Sequence, residues 1–256
     1  MPSKAPSPSD FPSYLTVTVT LPSTSSPSPN ILLLLHGLGD TAPAFASFGR
    51  ALHLPETTVV TVQAPAPLPF DLGGFHWGDD VAFDSSTGSL DTDAGLMRST
   101  AMLVNEVIRG TLLKRCGYRL REILILGFGQ GGMAGLTAAR ELMQAPSGTS
   151  ENESEIKGSL AGVISIGAAY PLSGGRTGAK SRTPVLLVAG RDSTAVTDAT
   201  IRRTKEVFEF VELSRYARKG DGMPSNRDEM LPVMQFFARR LRSRQGVPEG
   251  SIEIGV

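Results

Sequence analysis

Ile123-Leu-Ile-Leu-Gly-Phe-Gly-Gln-Gly-Gly132, running on into Met133-Ala-Gly-Leu-Thr-Ala-Ala139, joins a short apolar run to an Ala/Gly-rich segment through a glycine-rich corner. Four consecutive apolar residues before a glycine predict a buried strand, and the segment that follows predicts a helix. Strand, tight turn and helix form the setting of the nucleophile elbow, G-x-S-x-G, which holds a serine hydroxyl out at the corner. Here the frame reads Gly127-Phe128-Gly129-Gln130-Gly131, with glycine in the serine's place. The same letters spell G-x-G-x-x-G over Gly127, Gly129 and Gly132, a dinucleotide fingerprint in a similar setting.

Spacing weighs against that second spelling. A dinucleotide fingerprint normally opens its domain and is answered about 20 residues on by a carboxylate at the end of the next strand. In this chain three predicted strands come first, and the next one, Gly162–Ile166, ends without a carboxylate. Glycines needed for a close strand–helix corner explain the match without a cofactor. Dinucleotide binding at Gly127–Gly132 stays as a remote alternative, and no cofactor is expected.

To either side of the corner, strand patterns alternate with helix patterns. Tyr14–Thr20 alternates with period two, Ile31–Leu35 and Thr57–Val62 are apolar or β-branched runs, and a long loop extends from Gln63 to about Thr92. Asp93 is placed to cap a long helix reaching Cys116, with Gly117 closing it. Further strands are predicted at Pro184–Val188 and Phe208–Leu213, and Ser225-Asn-Arg-Asp228 resembles a capping box before a last helix bent at Pro232. Residues 1–13, rich in Pro and Ser, are expected to be disordered, and residues 244–256 to form a loose tail. The alternation predicts one α/β domain over 14–243 with a mainly parallel sheet between helices.

With 25 basic and 25 acidic residues the chain carries no net charge, so nothing in its balance draws it to nucleic acid. No stretch approaches the roughly 20 apolar residues of a membrane span, and the N-terminus has no apolar signal run. One cysteine, Cys116, excludes an internal disulfide and suits a reducing compartment, so a cytoplasmic protein is expected. No metal set is visible among Asp40, His76, Asp79 and Asp80.

Several blocks resemble the acyl-protein thioesterase / phospholipase–carboxylesterase family of α/β-hydrolases. Leu35-His-Gly-Leu-Gly-Asp-Thr41 is similar to its oxyanion loop, and Gln63-Ala-Pro65 with His76-Trp-Gly-Asp79 to its Ala-Pro…Ser-Trp-Phe-Asp segment. Gly127-Phe-Gly-Gln-Gly-Gly132 resembles its Gly-Phe-Ser-Gln-Gly-Gly, and Glu229-Met-Leu-Pro-Val-Met-Gln-Phe236 the start of its last helix. The resemblance implies an α/β-hydrolase fold and a cleft for a carboxylic ester, an acyl thioester or an acylated protein.

It also implies where a triad would stand, and the residues there are wrong for one. A serine hydrolase needs a hydroxyl nucleophile, an imidazole base and a carboxylate to orient it. The nucleophile position is Gly129 and the histidine position Met223. The acid position is Ser193, or Asp192 after a one-residue shift. All three histidines, His36, His53 and His76, precede the elbow, whereas this fold runs Ser…Asp/Glu…His. What the resemblance leaves intact is an oxyanion hole from the N–H groups of Leu38 and Gln130. His36 and Gly37 would shape that loop and border the substrate. His76 is the one candidate for a substitute base, oriented by Asp79 or Asp80, or else a loop histidine bonded to its neighbours. Trp77 would line an acyl slot or lie buried under the loop. The expectation is a hydrolase relative with little or no serine-type turnover, or else an active one using a base such as His76. Oligomeric state cannot be read from these residues.

Overall fold

The structure, a computed structural model, describes residues 2–23, 27–70, 72–83, 90–144 and 158–243. The polar stretch 145–157 and the tail 244–256 lie outside the described residues.

Seven strands form the central sheet: β1 (Val17–Thr20), β2 (Asn30–Leu35), β3 (Thr57–Val62), β8 (Ile123–Phe128), β9 (Gly162–Ile166), β10 (Val185–Ala189) and β11 (Val211–Arg215). Between β3 and β8 the chain makes two short antiparallel pairs, β4 (Ala66–Pro67) with β5 (Phe75–His76) and β6 (Ala82–Phe83) with β7 (Leu90–Asp91). The sheet order is β1-β3-β2-β8-β9-β10-β11, parallel throughout except for β1. Its helices are α1 (Ala42–Ala51), α2 (Met97–Ala101) continuing as a π-helical stretch over Met102–Arg115, α3 (Gln130–Glu141), α4 (Asp198–Val207) and α5 (Arg227–Arg240). The α/β domain with a mainly parallel sheet expected from the alternation is what the chain adopts, in keeping with the hydrolase fold that the resemblance implies.

Side chains of a strand point alternately to its two faces, and the buried runs divide on that rule. Ile31, Leu33, Leu35, Ile123 and Ile125 belong to one apolar cluster with the π-helical stretch and α3. Leu32, Leu34, Leu124 and Leu126 belong to another with Phe45 of α1 and Val233, Phe236 and Phe237 of α5. A strand covered on both faces must be apolar at every position, which is why these runs show no alternation. Each such side chain contributes roughly 1.5–3 kcal/mol on burial.

Several local expectations are corrected. The N-terminal segment is packed: Pro8–Asp10 forms a 3-10 turn, Phe11 is buried, and Ser3 donates its N–H to the Cys116 carbonyl. The Asp10 carbonyl accepts from Arg115, and its carboxylate pairs with Lys4, so side-chain contacts order a stretch whose composition suggested none. Asp93 does not cap the long helix. That helix begins at Met97, and the carboxylate of Asp79 accepts from the N–H groups of Met97 and Arg98 at 2.8 Å each. Asp93 instead bonds Leu172 and Ser173 across the loops. The last strand lies at Val211–Arg215, later than expected, because Phe208 closes α4 and is fully buried. At α5 the cap is Asn226, whose side chain accepts from Glu229 N–H, while Glu229 reaches back to Ser225.

Candidate active site

In an open parallel sheet, functional groups gather beyond the carboxyl ends of adjacent strands. β2 and β8 are neighbours in register Leu35↔Gly127, so the loop His36–Asp40 and the corner Phe128–Gln130 leave the sheet side by side. β9 and β10 follow, delivering Gly167 and Gly190 to the same end.

The corner has the backbone of a nucleophile elbow. Gly129 has φ +51° and ψ −121°, a region nearly closed to residues with a Cβ, and its N–H donates to Ile166 O at 2.8 Å. A Cβ on Gly129 would meet nothing within 4 Å, so the corner opens into free space. The neighbouring glycines answer to packing. A Cβ on Gly131 would stand 2.4 Å from the carbonyl oxygens of Leu35 and His36, and one on Gly127 would stand 2.3 Å from Gly131 O. These contacts let α3 abut the end of β2 and account for the glycine spelling without a nucleotide. Neither the N–H of Gln130, first residue of α3, nor that of Leu38 finds an acceptor among the described residues.

The Gln130 side chain carries a role that the motif did not announce. Its carboxamide oxygen accepts from Trp77 N–H at 2.7 Å, and its nitrogen donates to Thr92 O at 3.1 Å, tying the long loop to the elbow. Trp77 is fully buried, stacks obliquely 5.4 Å from the His36 ring and donates its indole N–H to His36 O. It packs beneath the oxyanion loop and does not line an acyl slot.

His36 is fixed as a structural imidazole. Its Nε2 accepts from Ala64 N–H at 3.0 Å, so the proton sits on Nδ1, which donates to Gly37 O at 2.7 Å. Burial pushes its pKa down, against the opposing pull of the Gly37 carbonyl and Asp40. Gly37 lies against the Phe128 ring: a Cβ there would be 2.7 Å from it.

Met223, Asp192 and Ser193, which the resemblance gives to the base and acid positions, lie on neighbouring loops. Met223 packs on the apolar cluster beneath α5. Its carbonyl and that of Gly222 accept from the Arg218 guanidinium at 2.8 and 3.1 Å, and the same guanidinium pairs with Glu229 at 2.8 Å. Burial tends to raise the Glu229 carboxyl, yet the bonds from Ser225 and Arg218 outweigh it and hold the pKa below its ordinary value. Of the two residues competing for the acid position, Asp192 accepts from Gly220 N–H at 3.0 Å and Ser193 donates to Asp221 at 2.7 Å. Asp221 also accepts from Gly190 N–H at 2.8 Å. It is the carboxylate that knits the two loops together, and its position inside Gly220-Asp-Gly-Met223 was the only signal for it.

His76 stands apart from these bonded groups. It is 5% exposed, on β5, whose Phe75 pairs with Asp40 of the oxyanion loop. The point that a Cβ on Gly78 would occupy is 3.5 Å from His76 Nδ1 and 3.2 Å from Gln130 Nε2, so the imidazole and the Gln130 carboxamide both border Gly78. Its ring makes no hydrogen bond among the described residues, and burial and the charge of Arg98 lower its pKa against the opposing effect of Asp80. Asp79 is committed to α2 and does not orient it. Among the described residues no group of three or more His, Cys, Asp or Glu side chains is placed to hold a metal, and no helix is long and apolar enough to cross a membrane. A cavity of about 310 Å³ lies elsewhere, along the far half of α3 beside Thr100, Thr137, Arg140 and Tyr170; the Arg140 guanidinium is occupied by the carbonyls of Thr177 and Ala179.

Comparison with known proteins places this arrangement. An uncharacterised hydrolase of Schizosaccharomyces pombe is 29% identical over 231 residues, covering 88% of this chain and 89% of the relative. Among solved structures, esterase PE8 superposes with a TM-score of 0.66 at 19% identity, and Zea mays acyl-protein thioesterase 2 with 0.63 at 21%. Each match covers 89% of this chain and 99% of the other. The phospholipase/carboxylesterase family model matches residues 18–239, a span that takes in the loop His36–Asp40, the corner at Gly129 and the loop at Met223, and the chain belongs to that family.

Proposed function

We propose that this chain is a family member whose cleft binds a carboxylic ester, an acyl thioester or an acylated protein with little or no serine-type hydrolysis. The observation that carries the reading is Gly129: the strained elbow geometry is kept, with open space at its Cβ and no side chain to attack. Met223, docked on the core in the base's place, supports the same conclusion. A backbone hole with binding alone retains roughly 10³–10⁴-fold over water when triad members are removed, far below the 10⁶–10¹⁷-fold typical of enzymes. A fluorophosphonate probe and a short-chain thioester assay on the pure protein test it. No covalent labelling and turnover near background are expected; stoichiometric labelling or robust turnover would refute it.

A second reading has one observation in its favour. The imidazole of His76, a buried residue whose ring has no hydrogen bond among the described residues, has a lowered pKa and is therefore able to take a proton from an attacking water. On that reading any residual thioesterase activity falls with His76→Ala and rises with pH through the imidazole's lowered pKa. The buried cysteine thiol and zero net charge fit a cytosolic setting.

A further inference from the structure

The cavity along the far half of α3 is separate from the cleft. Its lining on that helix begins at Thr137, about seven residues and so roughly 10 Å beyond Gln130. At about 310 Å³ it is at the small end of ligand sites. One wall is the loop of residues 170–177, and that wall is held in place from several sides. Arg203 of α4 donates to the carbonyls of Pro171, Leu172 and Gly174, and the Asp93 carboxylate accepts from Leu172 N–H and the Ser173 hydroxyl. Tyr170 donates its hydroxyl to Gly175 O at 2.7 Å. Walls fixed in this way need little ordering around a ligand.

Two charges on the cavity are unanswered. Arg140 is 7% exposed, and charged groups so deeply buried are almost always paired. Its guanidinium donates to the carbonyls of Thr177 and Ala179, which are neutral, and among the described residues it has no carboxylate partner. Glu141, the last residue of α3, lines the same cavity, and its carboxylate has neither a hydrogen bond nor an ion pair among the described residues. The two do not answer each other, because consecutive residues of a helix do not face one another. Burial raises the Tyr170 pKa, the charges of Arg140 and Arg203 oppose the rise and that of Glu141 adds to it, so the unpaired charges of Arg140 and Glu141 act on the same wall. The carboxyl end of α3 adds its partial negative charge on the Glu141 side.

A simple anion would answer Arg140 and be repelled by Glu141, and a simple amine would do the reverse. A molecule that carries both charges answers both. Because the two protein charges come from consecutive residues, whose Cα atoms are about 3.8 Å apart, they suit a ligand whose own charges sit on one carbon. We propose that this cavity is a second ligand site, for a free amino acid with an apolar side chain. Its carboxylate pairs with Arg140, its ammonium with Glu141, and its side chain lies against Leu96, Ala101 and the Tyr170 ring, which line the same space. No bond is made or broken. The site stands on residues other than those of the cleft and is independent of what the cleft binds.

Amide shift mapping of the full chain at about pH 7, where all the ligands are charged, tests the assignment with leucine, isocaproate and isoamylamine. The last two are leucine without its ammonium and leucine without its carboxylate. Leucine is expected to shift the amides of residues 137–144 and 170–175 saturably and to leave those of Leu38 and Gln130 in place. It should bind about tenfold more tightly than isocaproate, and more tightly still than isoamylamine. Arg140 also holds Thr177 and Ala179, so the deciding variant is Glu141→Gln, which breaks no bond within the described chain. It should lower leucine affinity to that of isocaproate and leave the unfolding midpoint unchanged. The absence of a saturable leucine shift, shifts at Leu38 and Gln130 in place of the cavity amides, or equal affinity for leucine and isocaproate each overturns the proposal. A Glu141→Gln chain that binds leucine undiminished overturns it as well. None of these outcomes bears on the labelling and turnover assays that test the cleft.

Discussion

The corner Gly127–Gly132 and the loops Gly190–Ser193 and Arg218–Glu229 share one end of the sheet, and they differ in what holds them. At the corner, geometry is set by backbone against backbone: Gly131 admits the carbonyls of Leu35 and His36, and Gly129 adopts φ +51°. In the loops, geometry is set by side chains: Arg218 gathers the carbonyls of Gly222 and Met223 to Glu229, and Asp221 bridges Gly190 and Ser193. Gly127 and Gly131 are part of the packing that seats α3 on β2, so replacing them would unseat the helix. A nucleophile or an imidazole has no such second duty. Glycine at 129 and methionine at 223 are therefore compatible with the family's fold.

The largest expected effect crosses the two regions. Gly129→Ser with Met223→His should raise p-nitrophenyl ester hydrolysis about 10²-fold over the parent chain, at the low end of what a general base contributes. The gain is limited because the residue at 223 packs on the core and must turn out of it. A folded double variant without activity would mean that the two regions no longer face one another.

Stability separates them next. Gly131→Val places atoms against two carbonyl oxygens and should cost about 3–5 kcal/mol in denaturant unfolding. Gly129→Ser alone should cost about 1–3 kcal/mol, since only the backbone conformation resists it. Gly220→Ala in the base loop, with φ +78° and nothing within 4 Å, should cost about 1–2 kcal/mol. If Gly131→Val cost no more than Gly220→Ala, the distinction between backbone-held and side-chain-held regions would fail.

Acid provides the gentlest test. Glu229 has a folded pKa below its ordinary value of 4.5, so its contribution is complete above that value and is lost as pH falls through the lowered one. Amide hydrogen exchange should then show residues 218–223 opening in acid before the amides of α3 do. Simultaneous opening would show that the Arg218–Glu229 pair does not hold the loop.

Much of this was legible in the order of the residues. The apolar runs at Ile31–Leu35 and Ile123–Leu126 mark strands buried on both faces, and a glycine-rich corner leading into an Ala/Gly-rich segment marks the elbow. Periodicity and turn chemistry are local, and the chain states them locally. The absence of a serine and of a late histidine is equally plain, since a missing side chain is missing in any fold. Less legible were the partners. Asp93 looked like a helix cap and Asp79 like an aid to His76, yet Asp79 caps the helix 18 and 19 residues away and Asp93 bonds Leu172 and Ser173 about 80 residues away. The Pro/Ser-rich N-terminus gave no sign that it would pack on the end of the π-helical stretch at Cys116.

The sequence by itself determined the architecture, the family and the glycine at position 129, because each depends on residue type at a position. Only the tertiary structure decided that Trp77 is a buried strut, that His36 has both nitrogens spoken for, and that His76 is buried near the Gln130 carboxamide. Whether a polar atom is satisfied depends on which distant backbone groups the fold brings within about 3 Å of it, and no local pattern carries that information.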